Sequence, residues 1–150
     1  MLFFGDAGSF ALDLNGDYVV VQGFAWFPQM TLKKWIDSLP QEARDDWREQ
    51  TFYSYLAILS SSPFSLLLAE FCPHVAGGQL NLSKRFIDHV PLPNLAEVGR
   101  QSSELGEVIA SLANEGELIH SQGVQRLSLI NDLVAHVYGV PITSWPINDK

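Results

Sequence analysis

At 150 residues, 47% hydrophobic and 17% charged, the chain has the length of one domain and enough apolar content to bury a core, which excludes disorder by composition. Seventeen acids against nine Lys and Arg give a formal net charge of −8, opposite to the net basic surface of a protein that grips nucleic-acid phosphates unaided. Cys72 is the one cysteine, so an internal disulfide is excluded. "FSLLLAEF" falls far short of the roughly 18 apolar residues of a membrane span. "MLFFGDAG" lacks a basic start and a long apolar stretch, so a cytoplasmic location is expected.

The pattern predicts an α+β fold forming one domain over 1–150. Residues 1–28 read as β-rich: "SFALDL" and "DYVVVQGFAWF" flank the turn signal "NGD", predicting an N-terminal β-hairpin or small sheet with Phe10, Leu12 and Leu14 on one face. Residues 29–93 read as a helical middle. "TLKKWIDSL" follows a cap at Thr31, and Pro40 opens the next helix with acids in its first turns. Phe52, Tyr55, Leu56 and Leu59 form one helical stripe. Ser62 and Pro63 then predict the start of an apolar helix that must stop before Pro73.

Residues 77–93, "GGQLNLSKRFIDHVPLP", break this helical regime with a glycine pair, a short polar segment, one small turn and two alternating prolines. Beyond them, residues 94–150 predict an antiparallel helical pair. Leu95, Val98, Ser102, Leu105, Ile109 and Leu112 are spaced 3-4-3-4-3, "NEGE" is expected to interrupt the run, and Leu127, Ile130, Val134 and Val137 resume it until Gly139 and Pro141.

Catalytic patterns are missing from the sequence. "FFGDAG" is followed by a strand pattern, whereas a phosphate or cofactor loop opens a helix. "DLNGD" has its glycine misplaced for a calcium loop, and the twelfth position is Phe24. Cys72 and His74 have no second pair at metal-ligand spacing, and no Gly-x-Ser-x-Gly elbow occurs. Asp45 and Asp46 fit a solvated helix face, and so do Arg44 and Arg48. The basic pairs Lys33-Lys34 and Lys84-Arg85 also suit plain solvent exposure. Lys84 and Arg85, however, adjoin Gln79, Asn81 and Ser83, side chains able to meet phosphates or base edges.

Read in order, "TFYSYLAILSSSPFSLLLAEFCPHVAGGQLNLSKRFIDHVPLP" resembles the C-terminal target-recognition region of bacterial adenine-N6 DNA methyltransferases of the type IIG restriction-modification kind. That region carries a "Y-L-L-A-I-L-N-S" helix, a second apolar helix, a glycine turn, a polar strand and a "hydrophobic-Pro-hydrophobic-Pro" exit. Tyr55 to Ser61, Pro63 to Phe71, Gly77-Gly78, Leu80 to Ser83 and Val90 to Pro93 fall on these features, with Ser60 in place of a frequent Asn. "INDLVAHVYGVP" (Ile130 to Pro141) is similar to the family's closing "I-D-x-L-V-Y-x-L-Y-G-L-T". The resemblance spans roughly residues 50–141.

The resemblance implies a domain that reads double-stranded DNA in the major groove and helps expose a flipped adenine beside a catalytic methyltransferase domain or subunit. The Asn/Asp-Pro-Pro-Tyr/Phe motif and the S-adenosylmethionine fold do not occur here, so no cofactor is expected in this chain. S-adenosylmethionine would belong to the missing catalytic half. Gln79, Asn81, Ser83, Lys84, Arg85, Lys33 and Lys34 are the expected DNA contacts. Two other readings stay open: half of a type I restriction specificity subunit with 95–115 as its spacer helix, and a protein-interaction module built on the acidic C-terminal helical pair.

Overall fold

The computed structural model describes residues 4–5, 10–15, 17, 37 and 40–140. Their elements in chain order are β1 (Phe4–Gly5), α1 (Gln41–Leu59), α2 (Ser62–Phe71), β2 (Leu80–Asn81), α3 (Lys84–Ile87), α4 (Leu95–Gln101), α5 (Ser103–Gln122) and α6 (Leu127–Tyr138). The described fold is therefore mostly helical.

Helix α1 starts directly after Pro40, whose fixed φ of −55° suits a helix entrance. Its C-terminal half is buried on several faces at once, with Tyr55, Leu56, Ala57 and Ile58 in the core beside Ser54. The chain then bends by 67° into α2. Ser61, one residue before the expected cap, makes the corner: its hydroxyl donates to the Ile58 carbonyl (2.6 Å) and accepts from the Phe64 N–H (3.2 Å). Ser62 and Pro63 follow in the first turn. Helix α2 ends at Phe71 because Cys72, which precedes Pro73, is pushed to an extended conformation.

The most extensive helix–helix packing joins α1 to α5. Its tightest point is Gly116, where an added Cβ would stand 1.9 Å from the Tyr53 carbonyl oxygen and 2.5 Å from its carbon. Only a residue without a side chain allows this backbone-on-backbone approach. Next to Tyr53, the buried Ser54 hydroxyl lies 2.8 Å from the Gln50 carbonyl and 3.1 Å from the Ile109 carbonyl of α5, so its proton serves either helix.

Close packing explains why "NEGE" does not interrupt a helix. Gly116 is the contact itself, Asn114 and Glu117 face solvent, and Glu115 is buried but ion-paired. Arg126 grips both Glu115 carboxylate oxygens, with Nε–Oε2 at 2.9 Å and a second bond from Nη2 to Oε1. The helix instead ends at Gly123, whose φ of 66° provides a left-handed cap.

The expected continuous helix from Leu95 to Leu112 is broken at its polar position. Ser102 is extended (φ −157°, ψ 158°), and its hydroxyl accepts from the Leu105 N–H at 3.1 Å, making it the cap of α5. The short helix α4 folds back against α5, with Leu95 and Ala96 buried. Helices α5 and α6 run antiparallel: Arg126 at the start of α6 meets Glu115, while His136 near its end lies 3.3 Å from Glu104 at the start of α5. Ile130, Val134 and Val137 turn the apolar stripe of α6 into the core.

The described residues cover the expected N-terminal hairpin only in part. Residues 10–15 form no strand, and its second strand falls on residues outside those described, apart from Asp17. The Asp13 carboxylate accepts from the Asp17 N–H at 3.0 Å, so the "NGD" turn is closed by a side chain. Phe10 packs edge-on against Phe64 with ring centroids 5.8 Å apart, which directs this segment onto α2 rather than into a ladder. The sheet is a two-stranded antiparallel pair, Phe4 opposite Asn81 and Gly5 opposite Leu80. The helix expected from Thr31 also lies outside the described residues, apart from Asp37, which is helical.

Two substitutions test this frame. Gly116→Ala forces α1 and α5 apart and is expected to cost about 3 kcal/mol, read as a lower urea midpoint at an unchanged slope. Arg126→Ala strands a buried carboxylate and lowers the midpoint; combining it with Glu115→Met recovers part of that loss, because no charge is then left buried.

Candidate nucleic-acid interface

Cys72 is buried at the end of α2, and Pro73 turns the chain outward. Residues 73–81 then form a tight loop: the Val75 N–H donates to the Gln79 carbonyl (2.8 Å) and the Asn81 N–H to the Pro73 carbonyl (2.9 Å). Gly77 and Gly78, with φ of 88° and 80°, supply two successive left-handed residues at its tip. On its return leg, β2 has β1 on one side and an isolated bridge to His74 on the other.

The return leg alternates strictly. Leu80 and Leu82 are 1% and 0% exposed, while Gln79 is exposed and Asn81 and Ser83 are half-buried. Period two places the leucines inward and the three polar residues on the opposite face. The Asn81 side-chain oxygen accepts from the Ser83 N–H at 3.1 Å, shaping the passage into α3. Lys84 and Arg85 in the first turn of α3 are exposed, whereas Phe86 and Ile87 pack against the core.

Both cations have only weak internal ties. The Lys84 ammonium pairs with the Asp88 carboxylate at 2.5 Å, an exposed i,i+4 pair of a kind worth at most about 1 kcal/mol. The Arg85 guanidinium lies over the Phe86 ring, 5.3 Å from its centroid. A phosphate oxygen could replace either tie at small cost.

The exit from this segment is held by two tyrosines. The Tyr55 hydroxyl of α1 donates to the Pro93 carbonyl (2.8 Å), and the Tyr138 hydroxyl in the last turn of α6 donates to the Pro91 carbonyl (2.9 Å). The Leu95 N–H approaches the Tyr55 oxygen at 3.4 Å. Burial pushes the Tyr138 phenol up to about 12, with Tyr55 nearby as a smaller cause. Burial also raises Tyr55, partly offset by the Leu95 N–H. Tyr55, the proline exit and Tyr138 come from three separate stretches of the family-like pattern, and the fold brings them to one place. Periodicity placed Tyr55 on a helical stripe, but nothing in the spacing of either tyrosine shows where its hydroxyl goes.

Of the expected contacts, Gln79, Asn81, Ser83, Lys84 and Arg85 thus form one continuous segment. Lys33 and Lys34 lie outside the described residues. Arg44 donates to the Asp37 carbonyl at 3.0 Å. Among the described residues no group of three or more His, Cys, Asp or Glu could hold a metal ion, and no single helix is long and apolar enough to cross a membrane. Burial pushes the Cys72 thiol up, which disfavours a reactive thiolate.

A groove between α1 and α5 is lined by Asp46, Glu49, Gln50, Tyr53, Asn114 and Glu117. Partial burial, then the Glu49 and Glu117 charges, raise the Tyr53 phenol. The groove's charge would repel a phosphate backbone. Comparison of the chain with protein-family models, curated proteins and solved structures finds no match.

The raised tyrosine sets an alkaline limit. Its neutral form is favoured in the folded state, so its contribution is complete below the ordinary value of 10 and is lost as pH rises through about 12. Stability measured by urea denaturation should fall across that window, and Tyr138→Phe should flatten the fall while lowering stability at neutral pH.

Proposed function

We propose that this chain is a DNA sequence-recognition domain of a restriction-modification adenine-N6 methyltransferase, working with a catalytic domain or subunit that binds S-adenosylmethionine. The observation that carries this reading is the alternation at 79–85. Buried Leu80 and Leu82 fix the segment, Gln79, Asn81 and Ser83 face away from them, and the exposed cations Lys84 and Arg85 follow directly. Amide and hydroxyl side chains next to a basic pair suit base edges and adjoining phosphates respectively. The α+β character of the domain belongs to this proposal too, with β1 and β2 as the edge of a small recognition sheet.

A net charge of −8 fits a division of labour in which the catalytic partner supplies most of the phosphate-binding surface. The bend at Ser102 weighs against a type I specificity half, whose spacer would need one long helix through this position. The acidic groove between α1 and α5 favours the interaction-module reading, with a basic protein as its partner.

Fluorescence anisotropy with short duplexes, at about 50 and about 200 mM salt, separates these readings. The chain is measured alone and with a separately supplied adenine methylase domain. Salt-sensitive binding is expected, and Lys84→Ala with Arg85→Ala should weaken it about tenfold and lower the salt slope by roughly two. No salt-sensitive binding in either arrangement would sink the DNA reading.

A further inference from the structure

We infer that Tyr55 and Tyr138 are positioning residues for the contact segment: their hydroxyls, donated to the Pro93 and Pro91 carbonyls, fix how Gln79 to Arg85 stands on the helical core. This rests on the DNA-recognition reading for its functional meaning, though not for its geometry.

Residues 79–93 are suspended between two anchors. Leu80 and Leu82 form the first, sunk in the core beside Cys72. At the far end, Pro91 and Pro93 have no N–H to give, and each proline keeps the residue before it, Val90 and Leu92, out of the helical region. This stretch therefore cannot be tied down by a helix or by a full strand ladder. Its carbonyls need donors from elsewhere.

Both donors come from distant parts of the chain, Tyr55 lying 38 residues before Pro93 and Tyr138 lying 47 residues after Pro91. Between the anchors, Lys84, Arg85, Asp88 and His89 are exposed, with Phe86 and Ile87 only partly buried. Without the two hydroxyls, the exit would keep the buried Val90 and the half-buried Leu92 and Pro93 but no directional tie at either proline, and α3 could shift relative to α1 and α6. A displacement of about 1 Å is enough to spoil directional contacts to base edges and phosphates.

Tyr55→Phe, Tyr138→Phe and the double variant keep the rings and remove only the oxygens. Amide hydrogen exchange, followed where each variant remains more than about 99% folded, is the first readout. The N–H groups of Ile87, Asp88 and Val90, bonded within the segment, should exchange about three- to tenfold faster per lost hydrogen bond. Amides inside α5 should not change. Equal acceleration in α5, or none in the segment, would show that the hydroxyls merely support the whole fold and would overturn the inference.

Duplex binding is the second readout. The double variant should lose affinity severalfold at an unchanged salt slope, because Lys84 and Arg85 are still present but poorly placed. An unchanged affinity in the double variant would overturn the positioning role in recognition. If the unaltered chain binds no duplex, even with the methylase domain added, the functional reading fails. Selective exchange at 87–90 then decides the anchoring role by itself.

Discussion

The close approach of Gly116 to the backbone of Tyr53 governs the rest of this structure. It sets the separation of α1 and α5 at the point where no side chain fits between them. Ser54, next to Tyr53 and shared between the Gln50 and Ile109 carbonyls, adds a polar tie to α5 about two turns before Gly116. Helix α5 in turn carries α4 through the Ser102 cap and α6 through the Glu115–Arg126 and Glu104–His136 pairs. Tyr55 and Tyr138 reach the same proline strut from two helices that both pack on α5.

Charge is distributed unevenly over this frame. Nine basic residues stand against seventeen acids, and several of the basic ones are engaged in structural contacts. Arg126 neutralises a buried carboxylate, Arg44 reaches the Asp37 carbonyl, and Arg100 donates to the Ala96 carbonyl of its own helix. Lys84 and Arg85 differ in being held only by an exposed carboxylate and an aromatic face. A small basic spot on an otherwise acidic molecule attracts phosphate weakly at long range and relies on direct contact.

Much of the helical layout was legible in the sequence because its signals are local. The stripe through Tyr55 and Leu59, the stop before Pro73 and the glycine end at Gly139 follow from periodicity and backbone chemistry within a few residues. The misreadings concern residues whose meaning depends on a distant neighbour. "NEGE" looks like a loop until Tyr53 is placed against Gly116 and Arg126 against Glu115. Ser102 looks like a polar guest in a heptad until α4 folds back. "SFALDL" has the alternation of a strand, and Phe10, Leu12 and Leu14 are indeed the half-buried ones, but alternation does not supply a ladder partner. The partner of Leu80 and Asn81 is a two-residue strand near the N-terminus, too short to leave a pattern. The polar segment was recognisable by composition, whereas its tyrosine anchors exist only in three dimensions.

The anchoring of the proline strut also has a consequence for the order of assembly during synthesis. Segment 79–93 emerges from the ribosome well before Tyr138, so its exit is first held from one side only, by Tyr55 of the already completed α1. The second tie waits for the last turn of the final helix, and that turn is stable only once α6 has docked on α5. Closure of such a long-range contact comes late, since its loop entropy is repaid only after the intervening chain has ordered. Segment 79–93 is then the last part of the described fold to be fixed from both ends. A nascent chain that lacks α6 could pack α1 on α5, but its proline exit would be tied from Tyr55 alone.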